Sequence, residues 1–506
     1  MITLGSQELI ALNQLIEENL RIGRGQPPVY IDIADNLGRF LSNQSHIVFG
    51  RRGSGKSTLL LTTKEKAESR GVLCIYIDGE LIKVNPFPDV LLSILIRIFE
   101  HLLEQSRDYE RGILRRFRRM FYPKSRSLNG RATNIIKGLY RLRTEPETYE
   151  LQRQTTLTKQ GRKGANIKVG LGQAGIGAEV DQATGSTIQE TIGTTMVKIR
   201  CLQQNLEVYQ CLLAEMLNRL TQNMMLFLDD FYFIEKQYQP DVIDYLHRLS
   251  KGTNMYLKLG TIKYRTSLYR ISRDTGRITG VELNNDIFPI DLDYTLEDSE
   301  AMSNFLDEIL YKFAEKANIE IGDLDNLFTE GGKDMLHLSS GGVPRDFLNL
   351  FVKSQRIARS RLLRKMEKQR VVGEAARQYL NETKKQNLSE DSVGDSSSLT
   401  EMIDRICKFA IEKKKKTVFL VDQGESSKNP EEYDKLKQLM DLRFTHLVDS
   451  NTSATYGSRK RYEGYMVDAG LWASPRIFGL EEVGFSKVDA SGRKDELRNC
   501  PKFKLG

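Results

Sequence analysis

Cysteine is scarce in this chain of 506 residues, and the five present (Cys74, Cys201, Cys211, Cys407 and Cys500) are odd in number and scattered. None is spaced as a metal ligand, which argues for reduced thiols and a cytoplasmic setting rather than a disulfide scaffold. Histidine is equally sparse: His46, His101, His247, His337 and His446 stand far apart, so no zinc site is visible. The opening residues, Met1 to Gly5, lack the basic and apolar regions of a signal peptide. Long apolar runs are missing as well. The strongest, Val90 to Leu103, is broken by Arg97, Glu100 and His101, too short and too polar to cross a membrane. With only 12 prolines and an apolar content of 40%, what is left is a folded chain. Its length suits about three domains.

Against these absences stands one sharp motif. Residues 46–57 read His-Ile-Val-Phe-Gly-Arg-Arg-Gly-Ser-Gly-Lys-Ser, a phosphate-binding loop from Gly50 to Ser57 preceded by a short apolar strand. Gly50, Gly53 and Gly55 let the backbone curl with its amides turned inward, and Arg51, Arg52, Ser54 and Thr58 complete the cradle. Lys56 reaches the β- and γ-phosphates, and the Ser57 hydroxyl coordinates Mg²⁺. A helix expected from Lys56 to Ser69 aims its positive end at the same anion. The loop therefore implies a nucleoside triphosphate, ATP, with Mg²⁺.

A second apolar run, Met224 to Leu228, ends in Asp229 and Asp230, as a strand buried on both faces of a parallel sheet would. Asp229 would hold the metal through water and Asp230 would orient or deprotonate the attacking water. An ordinary strand end with solvated acids is the plainer reading of the pair. Strands over Leu73–Asp78 and Met255–Gly260, with helices over Asp89–Leu103 and Pro240–Leu249, extend the alternation. Thr261 closes the last strand, where its hydroxyl either meets the γ-phosphate or caps the strand end. Downstream, Ser340-Gly341-Gly342-Val343-Pro344-Arg345 stops one helix and starts another. Arg345, in that first turn, is placed to reach back over a γ-phosphate, or is a plain surface residue.

This ordered set resembles an AAA+ ATPase, more narrowly the branch shared by origin-recognition-type replication initiators and the signalling STAND ATPases, over roughly residues 25–372. The resemblance puts the family's loop on Gly50, Gly53, Gly55, Lys56 and Ser57, its metal acid on Asp229, its first sensor on Thr261 and its second on Arg345. It also implies an arginine finger soon after the first sensor, for which Arg265 and Arg270 are the candidates. Asp-Asp in place of the usual Asp-Glu, and Thr in place of the commoner Asn, favour a slow, switch-like ATPase.

Net charge is +8, and the stretch Arg107–Arg143, with ten Arg and two Lys against two acids, could supply all of it. Arg115, Arg116, Arg118 and Arg119 lie among aromatics there, suiting a nucleic-acid backbone, a solvated helical face or a neighbouring acidic surface. They open an insertion of about residues 105–200, far longer than an ordinary connection. Its later part contains G-x-G-x-x-G from Gly170 to Gly175, without a helix after it, so a β-hairpin is expected rather than a dinucleotide fingerprint.

The domain plan is then a P-loop α/β core over residues 1–295, a helical lid over 296–386 and a Ser-rich acidic linker over 387–398. A C-terminal α+β domain follows over 399–506, where helices and a β-ribbon with the basic tip Arg459-Lys460-Arg461 resemble a winged helix. In such a fold one helix reads the major groove and the wing meets phosphate, unless the domain serves protein contact. Residues 469–506 carry no assignable pattern. The expected function is an oligomeric ATP-operated switch that binds or remodels DNA. The alternative is a signalling scaffold, such as the ATPase subunit of a prokaryotic antiviral system, that activates a separate effector.

Overall fold

Five strands made almost wholly of apolar residues pair in parallel to form the central sheet, in the order β2 (Leu73–Asp78), β3 (Met224–Asp229), β4 (Met255–Thr261), β1 (His46–Phe49) and β7 (Phe288–Asp291). The computed structural model describes residues 2–20, 30–32, 35–111, 124–144, 183–220, 222–272, 276–391, 396–453, 460–474, 477, 479–484 and 490–506. The chain enters through α1 (Gln7–Asn19), capped by the Ser6 hydroxyl, with Leu9, Leu12 and Ile16 on its buried face. β1 (His46–Phe49) leads through the loop into α2 (Lys56–Ser69), and β2 (Leu73–Asp78) follows. α2 and β2 match the bounds expected from sequence, and β1 takes in His46 ahead of the expected apolar residues.

Three long helices come next: α3 (Asp89–Arg111), α4 (Lys124–Thr144) and α5 (Ala183–Leu220). α3 runs on past Leu103, and α4 lies inside the arginine-rich stretch. Their apolar faces share one core with a face of the sheet, through residues such as Leu95, Phe99, Leu139 and Leu213. The expected hairpin around Gly170, and Arg115, Arg116, Arg118 and Arg119, lie outside the described residues.

β3 (Met224–Asp229), α6 (Gln239–Ser250) and β4 (Met255–Thr261) complete the alternation. A small antiparallel hairpin, β5 (Tyr269–Ile271) with β6 (Ile278–Gly280), precedes the edge strand β7 (Phe288–Asp291). With β1 between β4 and β7, strand order reverses beside β1. The carboxyl ends there are where a parallel α/β sheet binds ligands.

The lid is helical: α7 (Ser299–Lys316), α8 (Gly332–Ser340) and α9 (Pro344–Ser360), then α10 (Glu374–Tyr379) and α11 (Lys385–Asp391) joined through wider π-type turns. α1 packs with this lid rather than with the sheet, and Asn13 donates to Gln355 across that contact. The Ser-rich stretch expected to be a linker is largely helix: 387–391 ends α11 and 396–398 opens α12 (Ser396–Ile406).

The C-terminal domain has winged-helix connectivity. After α12 come β8 (Val418–Asp422), the short helix Glu425–Lys428, α13 (Pro430–Asp441) and the ribbon β9 (Thr445–Thr452) with β10 (Tyr462–Val467). β10 sits between β8 and β9, antiparallel to both. The unassigned tail adds α14 (Ala490–Arg498) and β11 (Lys502–Phe503), the latter parallel to β8 at the sheet edge. Lid and C-terminal domain share one apolar core, from Phe347 and Tyr379 through Trp472 and Leu505.

Candidate functional site

The phosphate-binding loop needs backbone that ordinary residues resist, and it has it. Gly53 and Gly55 stand at φ 91° and 100°, left-handed values that a side chain makes costly. Gly53 also presses on the lid, where a Cβ would come 2.8 Å from that of Arg345. The Arg345 amide donates to the Gly53 carbonyl at 3.3 Å, so loop and lid are tied by backbone. Arg51 braces the loop from the other side. Its amide and guanidinium donate to Asp293, and the guanidinium also reaches the carbonyls of Tyr294 and Gly341. Arg51 thus holds the loop in shape, while residues 52–58 face a cavity of about 680 Å³.

Lys56 is buried, and its Nζ donates to the carbonyls of Gly50 and Arg51 at 2.9 and 3.1 Å. Burial lowers its pKa, against the pull of Asp230 and Asp229. The two acids sit differently. Asp229 ends β3, buried, with Oδ1 accepting the Asp230 amide at 2.9 Å and Oδ2 accepting the Tyr76 hydroxyl at 2.6 Å. Asp230 turns to φ 48° and lines the cavity. Burial, then the Asp229 charge beside it, pushes its pKa up to about 6, against Lys56. That is a useful value for a group that must accept a proton near neutrality.

Oxygen donors of this kind suit a hard cation, and Mg²⁺ takes few protein ligands beside its phosphates. The Ser57 hydroxyl lines the cavity, and the Asp229 carboxylate, buried and not itself in the lining, is next in sequence to Asp230, which is; these are the oxygen donors that would hold it. Among the described residues no group of three or more His, Cys, Asp or Glu side chains is arranged to hold a metal by itself.

Thr261 does not line the cavity. It is fully buried, and its hydroxyl lies 2.6 Å from that of Thr266, which in turn donates to the Ile262 carbonyl. The strand end is satisfied locally, as the capping alternative for Thr261 has it. Arg345 does line the cavity, half-buried, and its guanidinium has no hydrogen-bond or ion-pair partner among the described residues. The arginine-finger candidates are engaged within the chain. Arg265 stacks 5.3 Å from the Tyr232 ring centroid, and Arg270 pairs with Asp241 at 3.0 Å.

Several residues of the cavity carried no sequence signal. Tyr30, Ile31, Phe305, Ile309, Phe313 and Leu348 make an apolar end, suited to a base, where the phosphate end is polar. Arg443 arrives from the C-terminal domain, just after α13, and lines the same cavity. It is buried, at φ 68°, and its NH1 donates to Asp346 Oδ1 at 2.5 Å. Asp346 is the neighbour of Arg345 and also accepts the Tyr379 hydroxyl at 2.9 Å. Deeper in this junction Lys384 pairs with Asp468 at 2.5 Å, and His446 meets the same carboxylate at 2.9 Å.

The helix in the groove-reading position behaves unexpectedly. α13 carries Glu431, Glu432, Asp434 and Asp441 against Lys435 and Lys437. It packs on the core turn Lys263–Arg265, with Lys437 5.4 Å from the Tyr264 ring centroid and 3.0 Å from Glu463. An acidic, docked helix is a poor reader of DNA. On the wing, Lys460 and Arg461 are exposed, whereas Arg459 lies outside the described residues.

No protein-family model matches this chain, and no curated protein matches it. Among solved structures it is similar to the Aeropyrum pernix ORC1 protein in complex with DNA, at 12% identity and TM-score 0.33, over 93% of this chain and 91% of that one. It is similar also to Cdc6p from Pyrobaculum aerophilum, at 12% identity and TM-score 0.33, over 91% and 96% of the two chains. A Walker-type ATPase of Pyrococcus abyssi gives 12% identity and TM-score 0.36, over 91% and 93%.

Proposed function

We propose that this chain is an AAA+ ATPase working as an oligomeric switch, in which the bound nucleotide sets the position of the winged-helix domain and DNA is the partner. The observation that carries this reading is the make-up of one cavity. The phosphate loop, lid Arg345 and C-terminal Arg443 all line it, so a single triphosphate would touch all three domains. Lys56 and the loop amides would hold the β- and γ-phosphates. Asp230 would take a proton from the attacking water, and Arg345 would stabilise charge on the transferring phosphoryl group. Mg²⁺ held by Ser57 and Asp229 would neutralise phosphate charge. Hydrolysis would remove the γ-phosphate from Arg345, loosening the lid and, through Asp346 and Arg443, the C-terminal domain.

DNA contact in this scheme falls to the wing around Lys460 and Arg461 and to the arginine-rich insertion, with α13 kept against the core. ATP hydrolysis by the full chain, with and without duplex DNA at two salt concentrations, tests it. Stimulation that vanishes in Lys56→Ala and weakens at high salt is expected. Turnover that depends on Lys56 but ignores DNA would overturn the DNA half. The acidic, docked α13 favours the second reading in that case, a scaffold that signals to a protein effector.

A further inference from the structure

Asp229 is held more tightly than a strand-end acid needs to be. Oδ1 accepts the Asp230 amide at 2.9 Å, and Gly260 on the adjacent strand leaves room for it, since a Cβ there would stand 2.7 Å from Oδ1. Oδ2 accepts the hydroxyl of Tyr76 at 2.6 Å. Tyr76 lies on β2, whose register with β3 pairs Asp78 with Asp229 and Tyr76 with Phe227. Side chains two apart on a strand share a face, so a phenol at 76 extends along the sheet to a carboxylate at 229. Phenylalanine would fill the same space without reaching it.

We propose that Tyr76 is a positioning residue for the metal site: its hydroxyl holds the Asp229 carboxylate in one orientation, in which it would serve a bound cation. An O–H···O bond of 2.6 Å from a hydroxyl to a carboxylate falls in the short, strong range for such contacts. Residues that orient a ligand in this way typically change metal affinity by about 10–100-fold when removed. Tyr76 belongs to no phosphate-binding motif, and among the described residues its hydroxyl bonds to Asp229 rather than to loop or lid. The inference rests on the cavity being an Mg²⁺–ATP site.

The test is binding of a fluorescent ATP analogue to the full chain, titrated with Mg²⁺, for wild type, Tyr76→Phe, Gly260→Ala and Asp229→Asn. In Tyr76→Phe the Mg²⁺ concentration giving half-maximal strengthening should rise about tenfold or more. Binding measured in chelator, which a general loss of structure would weaken, should stay at the wild-type level. Gly260→Ala, which crowds the other carboxylate oxygen, should shift the Mg²⁺ dependence in the same direction. Superimposable Mg²⁺ curves for wild type and Tyr76→Phe, with Asp229→Asn still abolishing the Mg²⁺ effect, would overturn the role of Tyr76 alone. A wild-type chain that binds no nucleotide, or binds it indifferently to Mg²⁺, would overturn the nucleotide reading and this inference with it.

Discussion

Two groups of buried charge flank the first turn of α9, and they differ in how they are satisfied. On one side Lys56, Asp230 and Arg345 face the cavity. Lys56 is folded onto loop carbonyls, Asp230 is pushed toward neutrality, and Arg345 has no ion-pair partner among the described residues. On the other side, one residue along, Asp346 is matched by Arg443 and Tyr379, and Lys384 and His446 share Asp468. Burial alone raises Asp468, yet Lys384 and His446 together hold it below the usual carboxylate range. Charge left unmatched in a cavity is matched by a ligand; charge matched internally fastens two domains together. Arg443 belongs to both groups, which is why the two sides are coupled.

The comparison can be broken by removing one charge from each side. Lys56→Ala should cost the most, lowering ATP turnover by about 10²–10³-fold or more, read in a steady-state phosphate-release assay, with little change in melting temperature. Arg443→Gln should do the reverse first. It strands the Asp346 carboxylate, and breaking a buried pair costs about 3–5 kcal/mol, read by chemical denaturation. Asp346→Asn in the same chain should return part of that loss, and Arg345→Gln should leave stability nearly unchanged.

Acidity sharpens the contrast further. With its pKa at about 6, Asp230 should make turnover fall about tenfold per pH unit below that value, a limb absent from what little activity Asp230→Asn retains. Asp441, at the end of α13, is buried and its pKa is raised to about 7, by burial and then by Asp293. Its folded value lies above its unfolded one, so the native state binds a proton that the unfolded state has released. Stability contributed here is present at low pH and declines as pH rises from about 4 to about 7. Asp441→Asn should flatten that decline in melts run across the window. The smallest effect belongs to the exposed pair of Arg270 with Asp241, where Arg270→Ala should cost less than about 1 kcal/mol.

What could be read from the sequence follows the same division. β1, β2, β3 and β4 are short apolar runs ended by chemistry-bearing residues, and both faces of the sheet are covered, so pattern and burial coincide. Ser340-Gly341-Gly342-Val343-Pro344-Arg345 was equally plain, because Gly341 and Gly342 take positive φ and Pro344 can only open a helix. The apolar part of the cavity lining was not, since Tyr30, Ile31 and Phe305 are indistinguishable in sequence from core residues. Arg443 pairs with a residue 97 positions away, a distance no local pattern spans. For Thr261 the sequence leaves two alternatives open, because the hydroxyl that meets it, on Thr266, comes from the loop it leads into. The tail closes its sheet with a strand of two residues, too short to show an alternation.

The central claim is that one nucleotide cavity governs the attachment of the C-terminal domain. Hydrogen exchange of the full chain, without nucleotide, with a non-hydrolysable ATP analogue and with ADP, tests it most directly. α13 and the segment around Arg443 should differ in protection between the ATP-analogue and ADP states, and Lys56→Ala should remove the difference. Protection around Arg443 that is the same in both nucleotide states, while the phosphate loop responds, would contradict it.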